Sequence, residues 1–268
     1  MMKTKQVAGQ HRSFISTILL CLALLTARTE AQRLNGILDH GALIRTDTTV
    51  RRIHLVFTGH EFANGAETIR RVLSRHRIKA SFFLTGEFYR NPAFSGIIAG
   101  LHKDGHDLGP HSDKHLLYCT WEDRDSLLVT RKQFQKDLDD NYTAMAVHGI
   151  ERTPIFMPPY EWYNDVIASW ALSEGVTLVN FTPGTSSNAD YTTPDMQAKY
   201  VTSDSIVARI LRYESSSPTG LNGFLLLMHI GVDPKRPDPL HERLDSLLKT
   251  LIGRKYRFEP LSAVVQLK

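Results

Sequence analysis

Cysteine is scarce in this chain: 268 residues carry two, Cys21 and Cys119. Cys21 falls in an N-terminal apolar stretch that reads as a removable leader. A processed chain would keep Cys119 alone, so no intrachain disulfide braces it and the fold must rest on its core. Long hydrophobic runs are missing too. The apolar run Phe14 to Ala27 is short of the roughly 20 residues that a bilayer span needs. Lys3, Lys5 and Arg12 precede it, and Thr29, Glu30 and Ala31 follow it, which is the layout of a secretory signal peptide cut after Ala31. A lipid anchor at Cys21 is disfavoured by Leu19 and Leu20, where a small residue belongs. The expectation is therefore an exported protein, periplasmic or extracellular, with no stable membrane anchor once the leader is removed.

A charge excess is also lacking. The formal charge is +4, and residues 1–31 supply +3 of it, leaving about +1 for the rest. That balance gives no footing for nucleic-acid binding. No internal repeat or low-complexity linker follows residue 32. What remains is 42% hydrophobic and 22% charged residues over the whole chain, the balance of a globular protein with a substantial core.

Short apolar β-type runs alternate with helical patterns. Residues 53–58, 79–85, 155–157, 176–181 and 223–229 read as strands. Residues 66–75, 95–103, 164–174, 205–213 and 241–252 read as helices. Alternation over this length predicts one α/β domain with a largely parallel sheet or barrel. Its chemistry belongs in the loops after the strands' carboxyl ends. The boundaries expected are a signal peptide over 1–31, an N-terminal arm over 32–50, and the domain over 51–268.

The most informative stretch is His111-Ser112-Asp113-Lys114-His115. If it begins a helix, its imidazoles fall at i and i+4 on one face, close enough to share a zinc ion. Asp113 within it could orient a ligand imidazole or cap the helix. The competing reading is two ordinary surface histidines in a chain that has 12.

Taken in order, the loop segments resemble the polysaccharide deacetylases of carbohydrate esterase family four. Residues 79–86 (KASFFLTG) look like the family's A-T-F-F strand, and 105–115 (GHDLGPHSDKH) are similar to its H-[ST]-x-x-H motif with the usual lead-in. Residues 157–160 (MPPY) resemble R-x-P-Y, and 226–229 (LLMH) resemble L-x-x-H. The resemblance covers about residues 50–268. It implies a single distorted (β/α) barrel, a divalent metal, usually zinc, and hydrolysis of N- or O-acetyl groups from a polysaccharide or oligosaccharide. It also implies that His111 and His115 are metal ligands and His229 the general acid. Tyr160 would offer its backbone N–H to the oxyanion, and Asp190, with Tyr191, would stand in for the pair that orients the acid histidine.

The first motif departs from the family pattern. Where T-F-D-D-G is expected, the chain reads Val56-Phe57-Thr58-Gly59-His60-Glu61, so both aspartates are gone. Glu61 or His60 is expected to supply the third metal ligand, the other acting as base or supporting partner. Glu61 is preferred as the ligand and His60 as the catalytic group, with Glu161 a second candidate base if His60 and Glu61 both bind metal. The family's arginine is Met157 here, so both members of one ion pair have changed together. Trp162 and Tyr163, with Tyr118 and Trp121 nearby, are expected to stack on sugar rings. The alternative is a catalytically inactive carbohydrate-binding protein on the same scaffold.

Overall fold

The computed structural model describes Met1 and residues 36–265. The expected signal peptide lies outside the described residues, and no helix among those described is long and apolar enough to cross a membrane.

In chain order the strands are β1 (Ile37–Asp39), β2 (Ala42–Arg45), β3 (Arg52–Gly59), β4 (Ser81–Leu84), β5 (Asp107–Pro110), β6 (Ile155–Phe156), β7 (Thr177–Leu178), β8 (Phe224–His229) and β9 (Arg257–Phe258). The helices are α1 (Ala66–His76), α2 (Gly86–Arg90), α3 (Ser95–Lys103), α4 (Arg131–Ala146), α5 (Asp165–Ser173), α6 (Ser203–Ser216) and α7 (Leu244–Gly253). The main sheet runs β1-β2-β8-β3-β4-β5, with β9 attached to β3 and a parallel core of β8, β3, β4 and β5.

The sheet curls into a distorted barrel, as the family resemblance implied. Met157 N–H donates to Pro110 O (3.3 Å), carrying β5 onto the short β6–β7 pair. On the other side Asn180 N–H donates to Leu43 O (2.9 Å), and Leu43 bridges Val179, returning the ring to β2.

Period-two alternation sorts the strand residues into two cores. Val56, Phe83, Leu225 and Leu227 meet Met157 and Val179 in one cluster, which fills the barrel interior. Leu55, Phe57, Phe82, Leu84, Leu226 and Met228 point the other way, into the cluster shared with the helices. There Ile69, Val72 and Leu73 supply the buried face of α1. Each such fully buried side chain contributes about 1.5–3 kcal/mol of burial free energy. The same alternation decides the site, since Thr58 and His229 continue the interior rows and pair across β3 and β8 at their carboxyl ends.

Two features differ from the expected layout. Within the stretch expected as an arm, residues 37–45 form β1 and β2, which add antiparallel strands to the sheet, and the helix α4 was not among the expected elements. The 16-residue α4 carries no clean apolar stripe, since Asp137 and Asn141 are buried on it beside Phe134 and Leu138. Its N-terminus is marked instead by a reciprocal cap between Thr130 and Gln133. The polar residues inside α4 are there to hold the loop that follows β5.

Candidate active site

The loop 111–115 is not the start of a helix. Ser112 and His115 both take positive φ (70° and 54°), which a helix forbids. Hydrogen bonds from α4 hold the loop instead. Asn141 Oδ1 accepts from His111 N–H (2.9 Å), and Asp137 Oδ1 accepts from Asp113 N–H (3.1 Å) and Lys114 N–H (3.3 Å). The other Asp137 oxygen accepts from the Tyr118 hydroxyl (2.8 Å). Asp113 neither caps a helix nor orients an imidazole; it makes a two-pronged pair with Arg90 (2.6 and 3.0 Å). Gly86 permits this close approach, because a Cβ there would lie 1.9 Å from Asp113 Oδ1.

The loop still brings the two imidazoles together, with ring centres 5.2 Å apart. Two imidazoles on one tetrahedral zinc, each nitrogen at ~2.0–2.1 Å, have ring centres about 5 Å apart, so the pair fits a shared ion. His111 Nδ1 donates to Met157 O (3.0 Å), which leaves the Nε2 lone pair free as a ligand. Burial pushes the His111 pKa down to about 3, and burial with the neighbouring histidines pushes His115 down to about 2. Both rings are therefore neutral, as metal ligation requires.

Of the two residues expected to supply a third donor, Glu61 does not face the pair and His60 does. Glu61 is exposed and lines an adjoining hollow with Phe62, Met196 and Asp233, away from the histidine pair. The backbone after β3 carries Glu61 outward, while His60 turns in. His60 stacks on His115 (ring centres 4.6 Å, 17° between planes), and its Nδ1 lies 3.1 Å from Thr85 Oγ1. Glu161 enters from the opposite loop, with Oε1 3.9 Å from His111 Nε2. Among the described residues no three His, Cys, Asp or Glu side chains stand preset at metal-ligand spacing. The structure thus offers two imidazoles with a carboxylate close by.

Glu161 owes its position to an unusual backbone. Tyr160 and Glu161 both take left-handed φ (60° and 53°), a conformation that costs on the order of 1–3 kcal/mol for each non-glycine residue. Asn180 Nδ2 steadies the turn by donating to Glu161 O (3.0 Å). Tyr160 is thereby placed at the rim, its ring 4.2 Å from that of His115, and Glu161 points inward. Burial pushes the Glu161 carboxyl up to about 7, with His229 pulling it down and Asp190 pushing it up.

His229 closes the far wall. Asp190, on a 3-10 turn over Ser187–Tyr191, accepts from His229 N–H (2.9 Å) and sits 2.6 Å from its Nδ1. Burial disfavours the charged ring, but the Asp190 charge and hydrogen bond, with Glu161 adding to them, outweigh it and raise the His229 pKa. These groups line one cavity of about 490 Å³ that includes Thr58, Gly59, His60, His111, His115, Tyr160, Glu161 and His229.

Neither expected sugar-stacking residue faces that cavity. Tyr163 is fully buried and donates its hydroxyl to Asp39 O (3.1 Å). Trp162 is half-buried, donates its indole N–H to Thr120 O (3.0 Å), and has the Arg124 guanidinium over its face. The exposed aromatics at the mouth are Tyr160, Tyr191 and Trp121, the last set edge-on to Tyr160 at 5.6 Å. The roles of Asp137 and Asn141 were missed in the sequence, although two polar residues four apart among the apolar positions of a helix are a usable signal.

Comparison with known proteins agrees with this geometry. The polysaccharide deacetylase family model matches residues 46–179, which is half of the chain and ends before the Asp190–His229 pair. The uncharacterized protein YlxY of Bacillus subtilis is 25% identical over 185 residues, 69% of this chain and 48% of that one; this chain thus spans about half of that relative's length. BA3943 of Bacillus anthracis, a CE4 family pseudoenzyme, superposes with a TM-score of 0.66 at 16% identity, covering 85% of this chain and 70% of that one. A BA3943 mutant described as having restored enzymatic activity superposes equally well (TM-score 0.66). PdaA of Bacillus subtilis, a family 4 carbohydrate esterase, gives a TM-score of 0.65 at 19% identity, covering 84% of this chain and 85% of that one. At these identities the structural likeness is one of fold. The family-model match, the barrel and the ordered histidine loops lead to one conclusion: this chain belongs to the polysaccharide deacetylase family.

Proposed function

We propose that this protein hydrolyses acetyl groups, on nitrogen or oxygen, from a polysaccharide or oligosaccharide, and that it does so with a divalent metal, zinc, held by His111 and His115. The observation that carries the proposal is the facing arrangement in one cavity: two neutral imidazoles on one side, and the Asp190–His229 pair on the other. A metal at the histidine pair would supply Lewis-acid polarisation of the acetyl carbonyl.

The protein's own groups account for the rest. Asp190 fixes the His229 ring and favours its protonated form, so that its free nitrogen can give a proton to the departing amine or hydroxyl. The place of Tyr160 at the cavity rim beside His115 supports the reading that its backbone N–H meets the oxyanion, and His60 packs the His115 ring in place. Trp121 offers a flat apolar face at the entrance for a sugar ring. The charged N-terminus and short apolar run support export, which would bring the enzyme to a cell-envelope or extracellular glycan.

A second reading is favoured by one observation: β3 ends in Thr58 and Gly59, without a carboxylate. On that reading the cavity binds a glycan without turnover, as a pseudoenzyme would. The test is acetate release from acetylated amino-sugar oligomers and acetylated xylan by the purified chain, with zinc and with chelator. Zinc-dependent release of acetate matched by new free amine or hydroxyl supports the hydrolase. Glycan and zinc binding with no acetate supports the binding protein.

A further inference from the structure

We propose that Glu161 is the carboxylate that takes the proton from the attacking water, doing from the loop after β6 what the end of β3 cannot do. The inference rests on the deacetylase reading above.

Three observations carry it. The end of β3 cannot supply the group. Thr58 faces the cavity with a buried hydroxyl that has no hydrogen-bond partner among the described residues. Gly59 carries no side chain, and a Cβ there would press on Ile230 Cγ2 (2.6 Å) and Leu84 Cδ2 (2.8 Å). The loop after β6 is shaped to bring a carboxylate in: consecutive left-handed residues send Tyr160 outward, 44% exposed, while the Glu161 side chain is 12% exposed. The carboxylate then lies in the same cavity as His229, on the His111 side, 3.9 Å from His111 Nε2. Among the described residues no lysine or arginine pairs with it; its ionisable partner within 4.0 Å is His111.

The chemistry balances without a redox partner. The water oxygen forms its bond to the acetyl carbon as one of its protons passes to a Glu161 carboxylate oxygen. The tetrahedral intermediate collapses, the carbon–nitrogen or carbon–oxygen bond breaks, and the His229 proton goes to the leaving atom. Acetate and a free amine or hydroxyl are the products, and the site is reset when Glu161 gives up its proton and His229 takes one back, both by exchange with solvent.

The test compares Glu161→Gln, and Glu161→Gln combined with Thr58→Asp, with the full wild-type chain. Readouts are acetate release, zinc affinity by calorimetry and thermal unfolding. Glu161→Gln is expected to lower kcat by about 10²–10⁴-fold, the usual worth of a positioned base, with zinc affinity unchanged. Adding Thr58→Asp, which returns a carboxylate to the barrel interior, should recover part of that rate. Wild-type turnover in Glu161→Gln overturns the proposal while leaving the deacetylase reading standing. Loss of zinc binding in Glu161→Gln also overturns it, by making Glu161 a ligand. A wild-type chain that binds zinc but releases no acetate overturns the deacetylase reading, and this inference with it.

Discussion

Asp190 grips His229 at two points, accepting from its backbone N–H (2.9 Å) and standing 2.6 Å from its ring Nδ1. One carboxylate thus sets both where the strand ends and how the ring is turned. Nδ1 is committed to Asp190, which leaves Nε2 to act in the cavity. The residues are 39 apart in sequence and meet because the Ser187–Tyr191 turn packs on the end of β8.

This pairing predicts a separation between turnover and metal binding. His229→Ala should lower kcat by about 10²–10⁴-fold, the range for losing a general acid. Asp190→Asn should also lower it, because an amide cannot hold the imidazolium. Zinc affinity, measured by calorimetry, should match wild type in both; a loss of zinc in either would place that residue among the ligands.

For the metal, His111→Ala and His115→Ala are each expected to abolish stoichiometric zinc, read by elemental mass spectrometry. Glu61→Gln should retain it, because Glu61 is exposed in the adjoining hollow. Zinc retained in His111→Ala would remove the basis of the metal assignment.

Asp137 predicts a coupling between α4 and the site. Asp137→Ala strips the acceptor from Asp113 N–H, Lys114 N–H and the Tyr118 hydroxyl. Each buried donor left unpaired costs about 1–3 kcal/mol. The variant should melt well below wild type and bind zinc more weakly, since the histidine loop loses its support. Unchanged zinc affinity in a folded Asp137→Ala would show that the loop holds its own shape.

His54 predicts a pH dependence of stability away from the cavity. It is fully buried on β3, with Nδ1 donating to Glu259 O (2.8 Å) and Nε2 3.0 Å from the Thr46 hydroxyl. Burial lowers its pKa from 6.5 to about 4, and Arg52 lowers it too, against the Glu259 hydrogen bond and Asp107. Between those values the unfolded chain holds more protons, so stability rises with pH across the window. The contribution is complete above pH 6.5 and is lost as pH falls towards 4, amounting to about 3 kcal/mol. Thermal unfolding from pH 7 to 4 should show this loss on top of that from His106, His111 and His115, whose pKa values burial also lowers, and His54→Asn should make the curve less steep. An equally steep curve in that variant would assign the effect to those three histidines.

Much of the fold was legible because it follows from local rules. Alternating apolar residues in β3, β4 and β8 set strand faces, and the helical face of α1 could be counted from Ile69, Val72 and Leu73. The helix α4 was hidden because Asp137 and Asn141 occupy core positions, and their purpose is visible only beside the loop they hold. The strands β1 and β2 were too short and flanked too closely by turns to announce themselves.

By itself the sequence determined the alternation of the central strands and helices, the neighbouring His111 and His115, and the placement of His229 at a strand end, while the resemblance implied the barrel. The first three depend on residue type and periodicity along a few turns of chain. Tertiary structure alone decided which carboxylate faces the histidines. Glu61 is near His60 in sequence but turns outward, whereas Glu161 is turned inward by two left-handed residues and the curl that brings β6 against β5. A side chain's direction depends on backbone dihedrals that the surrounding packing imposes, and no count of spacings along the chain contains them.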